Sequence, residues 1–161
     1  MPSATRAQDD GRTLHTYFNR VLVRCPRCDR HAIVRNIEAA GAAKDRPYGT
    51  YRLQCGSCGH NADTAPTWYV FGNLRGHTVD PFFRIPLLLQ LDTRLGTVFA
   101  YNEHHLDWLE RFVSADLRER THLEGHANSS MASRLPRWMK LAKNRDTVIK
   151  AIERLRASLA A

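Results

Sequence analysis

Apolar and polar positions alternate through "YFNRVLVRC" (17–25), placing Val21, Val23 and Cys25 on one face of an extended chain and Arg20, Leu22 and Arg24 on the other. The stretch predicts a strand that runs into a cysteine turn. "HAIVRNI" (31–37) leaves that turn as a second strand, "EAAGAAKDRPYG" (38–49) is a loop of small and turn-forming residues, and "TYRLQC" (50–55) is a third strand entering a second cysteine turn. β-like patterning continues from 63 to 101. There "TWYVFG" (67–72), "RIPLLLQL" (84–91) and "TVFAY" (97–101) are short apolar runs separated by Gly, Pro and Asp, and "LDTRLG" (91–96) has the makings of a hairpin connection.

After Asn102, a suitable N-cap, the period changes. Leu106, Leu109, Val113 and Leu117 recur at helical spacing and Trp108, Phe112 and Ala115 widen the stripe, which predicts an amphipathic helix of about four to five turns. "THLEGHANSS" (121–130) is a polar linker. A helix around 133–143 follows, with Pro136 placed in its first turn, where an N–H has no intrahelical partner. Asp146 can cap a last helix whose Val148, Ile152, Leu155 and Leu159 share a face. Residues 1–16 carry no apolar run and read as a flexible tail. They precede a cysteine module at 17–62 and an α+β region at 63–161 that ends in a basic helical segment.

The four cysteines, Cys25, Cys28, Cys55 and Cys58, form two pairs of identical spacing. Thiolates three residues apart in a tight turn point at one centre, and two such turns complete a tetrahedral shell of four sulfurs. The 26 residues between the pairs lengthen the loop at an entropic cost of only about 0.3 kcal/mol. That is small beside the roughly 10–16 kcal/mol of a structural zinc site. A redox dithiol would leave the second pair idle. A rubredoxin-like iron centre prefers Gly after both pairs, and here Gly59 follows Cys58 while Asp29 follows Cys28. The expectation is one Zn²⁺ held by the four cysteines, structural because a closed shell leaves no position for water. His31 and His60 lie just beyond the pairs and are expected outside the shell. The predicted fold class is α+β: an N-terminal four-cysteine zinc ribbon with a small antiparallel β segment, closed by three C-terminal helices.

Charge adds a partner to this picture. The 161 residues carry a formal charge of +8, distributed as +5 over residues 1–60, −3 over 61–133 and +6 over 134–161. Four thiolates and one Zn²⁺ would lower the total to about +6. A basic balance of this kind favours polyanions, nucleic acid first. Candidate contacts are Arg24, Arg27 and Arg30 around the first cysteine turn, with Arg134, Arg137, Lys140, Lys143 and Arg145 in the basic tail. The helix, Asn-Arg-Asp turn, helix layout of the tail permits a helix-turn-helix. Trp68, Tyr69, Phe71, Phe82 and Phe83 could stack bases or, as alternating strand aromatics commonly do, fill a core.

"CPRC … CGSCG" between strands resembles the zinc ribbon of the TFIIB type over about residues 17–60. "YNEHHLDWLERFVSADLRER" (101–120) and "SRLPRWMKLAKNRDTVIKAIERLR" (133–156) resemble small bacterial proteins known only as zinc-ribbon-containing. The resemblance implies zinc ligation by Cys25, Cys28, Cys55 and Cys58 and no particular activity.

An enzyme is not expected. "NEHHLD" (102–107), with His104 and Asp107 neighbours on a helix face and His77 and Asp80 upstream, is the best candidate for a metal-dependent nuclease, but further carboxylates are lacking. The chain has no phosphate-binding loop and no nucleophile elbow. The reading that follows is a non-enzymatic cytoplasmic zinc-ribbon protein binding nucleic acid or a nucleoprotein. The alternative is a protein–protein adaptor that docks a partner through Trp108 and Trp138. No stretch approaches the roughly 18 apolar residues of a membrane helix, so no membrane partner is expected.

Overall fold

A computed structural model of the chain describes residues 5–38, 48–119 and 130–161. In chain order the elements are β1 (Arg6–Gln8), β2 (Val21–Arg24), β3 (His31–Asn36), β4 (Tyr51–Gln54), β5 (Asn61–Asp63), β6 (Asn73–Leu74) and β7 (His77–Thr78). They continue with β8 (Leu89–Thr93), β9 (Gly96–Ala100), α1 (Glu103–Ser114), β10 (Leu117–Glu119), α2 (Met131–Arg134), α3 (Arg137–Lys140) and α4 (Arg145–Ala160). The chain is therefore mixed α/β. It divides into two compact units, one of His15–Gln90 with Phe99–Asn102, the other of Met1–Leu14, Leu91–Val98 and Glu103–Ala161. The segment through Gln90 packs with the cysteine-bearing strands.

In the cysteine-bearing unit β2, β3, β4 and β5 form one antiparallel sheet in that order. Leu22 faces Ile33, Val34 faces Leu53, and Arg52 faces Asp63 across the strands. Val21, Leu22 and Val23 are all buried. The strict alternation expected for β2 fails at Leu22 because a second stretch of chain closes on the strand: Arg24 N donates to Pro86 O (2.9 Å), Leu22 N to Tyr101 O (2.7 Å) and Leu88 N to Leu22 O (3.0 Å). "TWYVFG" is not a strand. It is an extended run tied to Gly49 by one bridge at Thr67, its Tyr69 and Phe71 lying 5.7 and 5.8 Å from the buried Phe18 ring, which also contacts Phe82 and Tyr101. β6 and β7 form a hairpin whose central residues, Arg75 and Gly76, both have positive φ, the turn that matches strand twist.

In the helical unit α1 buries His105, Leu106, Trp108, Leu109, Phe112 and Val113 and packs on α4, which buries Val148, Ala151, Ile152 and Leu155. Arg156 of α4 joins the two helices through Asp107 (2.8 Å) and Glu110. The helix stops at Ser114, and Leu117 lies in a strand rather than on the helical stripe. The cause is tertiary. Asp116 N donates to Thr5 O (2.9 Å), its carboxylate receives Thr5 Oγ1 and Arg145 (3.1 Å each), and Arg145 also takes the Ala115 carbonyl (3.1 Å). β10 then pairs in parallel with β1. The segment expected as a flexible tail thus holds a strand, and Asp9 beyond it accepts Ser130 Oγ (2.6 Å).

The single helix expected at 133–143 is two separate turns, α2 and α3. Leu135 has ψ 135°, as the ring of Pro136 forces on the residue before it, and Pro136 itself is extended with ψ 142°. Among the described residues four helices therefore stand where three were expected. α4 starts at Arg145, with Asp146 inside its first turn. Residues 1–4 of the tail, 39–47 of the small-residue loop and 121–129 of the polar linker lie outside the described residues. Among the described residues no helix is long and apolar enough to cross a membrane.

Candidate metal centre

The cysteines sit in the two turns that join β2 to β3 and β4 to β5, and the turns close in the same way. Cys25 N donates to Arg30 O (2.8 Å) and Asp29 N to Cys25 O (2.9 Å); Cys55 N donates to His60 O (2.9 Å) and Gly59 N to Cys55 O (3.0 Å). The residue after each second cysteine is left-handed, with φ 58° at Asp29 and 72° at Gly59. Glycine takes that conformation freely. Aspartate is among the few other residues that tolerate it, and Asp29 also meets Arg24 at 3.3 Å. The turn chemistry is therefore the same in both pairs despite the sequence difference.

Those two turns bring the four sulfurs together, all within 4.8 Å of one another. Cys25 Sγ lies 3.6 Å from Cys58 Sγ, and Cys28 Sγ 3.6 Å from Cys55 Sγ. A disulfide would require about 2.05 Å. A tetrahedron with metal–sulfur bonds of about 2.3 Å has edges of about 3.8 Å, so the donor set fits a tetrahedral thiolate-bound dication with little adjustment. Backbone amides support the sulfurs: Arg27 N lies 3.4 Å from Cys25 Sγ, the Arg30 amide serves Cys28, and the Cys58 and Ser57 amides serve Cys55.

The thiols divide protons unequally. The amide of Cys58, then that of Ser57 and the Cys28 and Cys58 sulfurs, pull Cys55 down to about 6 against desolvation. At Cys28 the Arg30 amide pulls downward but is outweighed by desolvation and by the Cys58, Cys55 and Cys25 sulfurs, and the thiol is pushed up to about 12. Such a split arises when crowded thiols share a few backbone amides and one another as partners; a bound dication would hold all of them as thiolates. Cys25 and Cys55 are buried, Cys28 is half-buried and Cys58 is exposed. His31 and His60 do not join the cluster, and among the described residues no other group of three or more His, Cys, Asp or Glu comes together in this way.

The basic candidates fare differently. Arg27 and Arg30 are exposed on the first cysteine turn and make no ion pair among the described residues, while Arg24 is exposed but paired with Asp29. In the helical unit Arg134, Arg137 and Lys143 are exposed. Lys140 is not a spare charge: its Nζ donates to the carbonyls of Ala132 (3.2 Å) and Ser133 (3.4 Å) at the end of α2. Arg145 is likewise engaged, on Asp116 and Ala115. Neither role is visible along the chain, since both sets of partners depend on how other segments fold back.

The enzymatic candidates are each accounted for within their own unit. Asp80 is fully buried, and its carboxylate accepts the amides of Phe82 (2.9 Å), Phe83 (2.8 Å) and Ile85 (2.9 Å). Asp107 is held by Arg156. His77 and His104 are exposed, and they belong to different units. His105 is buried on α1, where desolvation holds it down to about 3, a neutral side chain. Trp108 is buried and stacked on Phe112 with ring centroids 5.1 Å apart, which removes it as an exposed anchor for a partner. Trp138 is half-buried over Gly96, where a Cβ would come within 2.9 Å of the indole. Tyr69, Phe71 and Phe82 belong to the aromatic cluster around Phe18; Trp68 lies outside it, 60% exposed. No protein-family model, curated protein or solved structure matches the chain.

Proposed function

We propose that the chain is a non-enzymatic zinc-ribbon protein of the TFIIB type that works in the cytoplasm and binds nucleic acid or a nucleoprotein. Cys25, Cys28, Cys55 and Cys58 would hold one structural Zn²⁺, whose bonds fasten β2–β3 to β4–β5 and fix the two turns in place. The observation that carries the nucleic-acid reading is the first cysteine turn. It exposes Arg27 and Arg30, without acidic partners among the described residues, on a backbone closed by the hydrogen bonds of the turn, with Arg27 between Cys25 and Cys28 and Arg30 two residues beyond. Guanidinium groups so placed suit phosphate oxygens, which they can grip in bidentate fashion. Exposed Arg134, Arg137 and Lys143 offer further phosphate contacts from the helical unit.

The test has two parts. Elemental analysis should find about one zinc per chain; iron would overturn the zinc assignment. Binding of labelled DNA and RNA should weaken steeply with salt, log K changing by about −0.7 to −0.9 per phosphate contact for each unit of log salt. The double variant Arg27→Gln/Arg30→Gln should flatten that slope by about two contacts with zinc content unchanged. A salt-insensitive interaction, or none at about 50 mM salt with either nucleic acid, would sink the nucleic-acid reading.

A further inference from the structure

We propose that Trp68 and Tyr48 form a stacking platform for unpaired nucleobases, so that the ligand class of the cysteine-bearing unit is single-stranded nucleic acid; this rests on the nucleic-acid reading above. Trp68 is 60% and Tyr48 43% exposed. Their ring centroids are 4.9 Å apart with planes tilted by 46°, so the two exposed rings form one continuous aromatic patch.

The exposure is built into the fold. Gly49 and Thr67, the neighbours of the two rings in sequence, exchange both backbone hydrogen bonds (3.1 and 3.0 Å). Gly49 is itself held close against the side chains of β3 and its exit, since a Cβ there would lie 2.9 Å from Asn36 Nδ2 and 3.1 Å from the Glu38 carboxylate. Along the extended run that follows, burial alternates: Tyr69 and Phe71 turn inward to the Phe18 cluster, and Trp68 and Val70 turn outward. Two aromatic anchors therefore hold the segment that presents the third. Arg84 donates Nη1 to the Val70 carbonyl (3.0 Å) and so places a guanidinium on the same segment.

Charge selects the occupant. The unit contains ten Lys and Arg against five Asp and Glu. Three of those acids are already engaged: Asp80 by backbone amides, Asp63 by Arg52 and Asp29 by Arg24. A second copy of this chain would bring the same excess of positive charge to the contact. A polyanion with flat apolar faces answers both features, and a single strand is the form of nucleic acid that exposes those faces, which a duplex hides in its stack.

The experiment measures binding of a labelled oligothymidylate, an oligouridylate and a duplex of equal length to the zinc-loaded protein. Trp68→Ala should weaken single-strand binding by about five- to a hundredfold, the contribution of one stacked base, while duplex affinity, zinc content and the salt slope stay as in wild type. Trp68→Phe, which keeps a ring, should recover most of the loss. Wild-type binding to single strands that Trp68→Ala changes by less than about twofold, or an equal loss on the duplex, would overturn the platform and leave the phosphate-binding reading intact. No binding of any probe by the wild type would overturn both. A dimer in sedimentation that Trp68→Ala dissociates would assign the patch to self-association and overturn the platform.

Discussion

Replacing Asp80 tests whether this fully buried carboxylate of the cysteine-bearing unit holds the loop at 80–85 together. Its Oδ1 serves the amides of Phe82 and Phe83 and its Oδ2 that of Ile85, all at 2.8–2.9 Å. A hydrogen bond to a charged group contributes about 1.5–3 kcal/mol, and buried donors left unpaired cost about 1–3 kcal/mol each. The three share one acceptor group and do not add, so Asp80→Ala should cost about 3–5 kcal/mol. Asp80→Asn keeps an oxygen for Phe82 and Phe83 but turns an amide donor toward Ile85 N–H, which should cost about 1–2 kcal/mol. The pH dependence gives an independent sign. Burial is the largest influence on Asp80 and raises it, against the pull of the three amides and Arg84. A group whose folded value lies above its unfolded one adds stability as pH falls through that raised value, so wild type should gain on Asp80→Asn when the pH is lowered. Urea unfolding of the zinc-loaded protein followed by circular dichroism, at pH values where zinc is retained, measures both. An Ala variant within about 1 kcal/mol of wild type, or a wild-type advantage that shrinks on acidification, would refute the reasoning.

Chelation of zinc should unfold the cysteine-bearing unit, because the roughly 10–16 kcal/mol of a structural site is comparable to a whole domain's stability of about 5–15 kcal/mol; loss of β-sheet signal and rapid alkylation of all four thiols would show it. Gly59→Val, which puts a branched side chain at φ 72°, should cost about 2 kcal/mol, whereas Asp29→Gly should be neutral within about 1 kcal/mol; thermal unfolding of holo protein distinguishes them. Lys140→Gln removes the ammonium from the Ala132 and Ser133 carbonyls and should cost about 1 kcal/mol, while Lys143→Gln on the exposed surface should change stability by less than about 0.5 kcal/mol, as read from urea midpoints.

The sequence by itself determined the cysteine turns. Four like residues in two matched pairs, each between β-forming runs, specify a shell because the ligand geometry is closed within each turn of six residues, Cys25–Arg30 and Cys55–His60. It also determined the inner faces of α1 and α4, since a 3.6-residue period states which side of a helix must be covered. The apolar pattern sets Pro136 in the first turn of one helix and misses the break there, whereas the constraint the proline puts on Leu135 ends α2 at that point. What covers a face is another matter, and there the tertiary structure decided. Leu22 reads as a polar-side residue until Pro86–Leu88 closes on β2. The helical stripe runs on to Leu117 until Asp116 meets Thr5 and Arg145 and the chain leaves the helix. Lys140, Arg145 and Asp80 look available for chemistry until their carbonyl, carboxylate and amide partners fold against them. Trp68 looks like its aromatic neighbours until alternation about Tyr69 and Phe71 turns it outward. For Leu22, Asp116 and Arg145 the deciding contact joins distant parts of the chain; for Asp80, Lys140 and Trp68 it lies within a few residues but in irregular segments, where no period announces it. A periodic pattern encodes which side of an element is covered, and it is silent on partners that the irregular backbone and the long-range fold bring in.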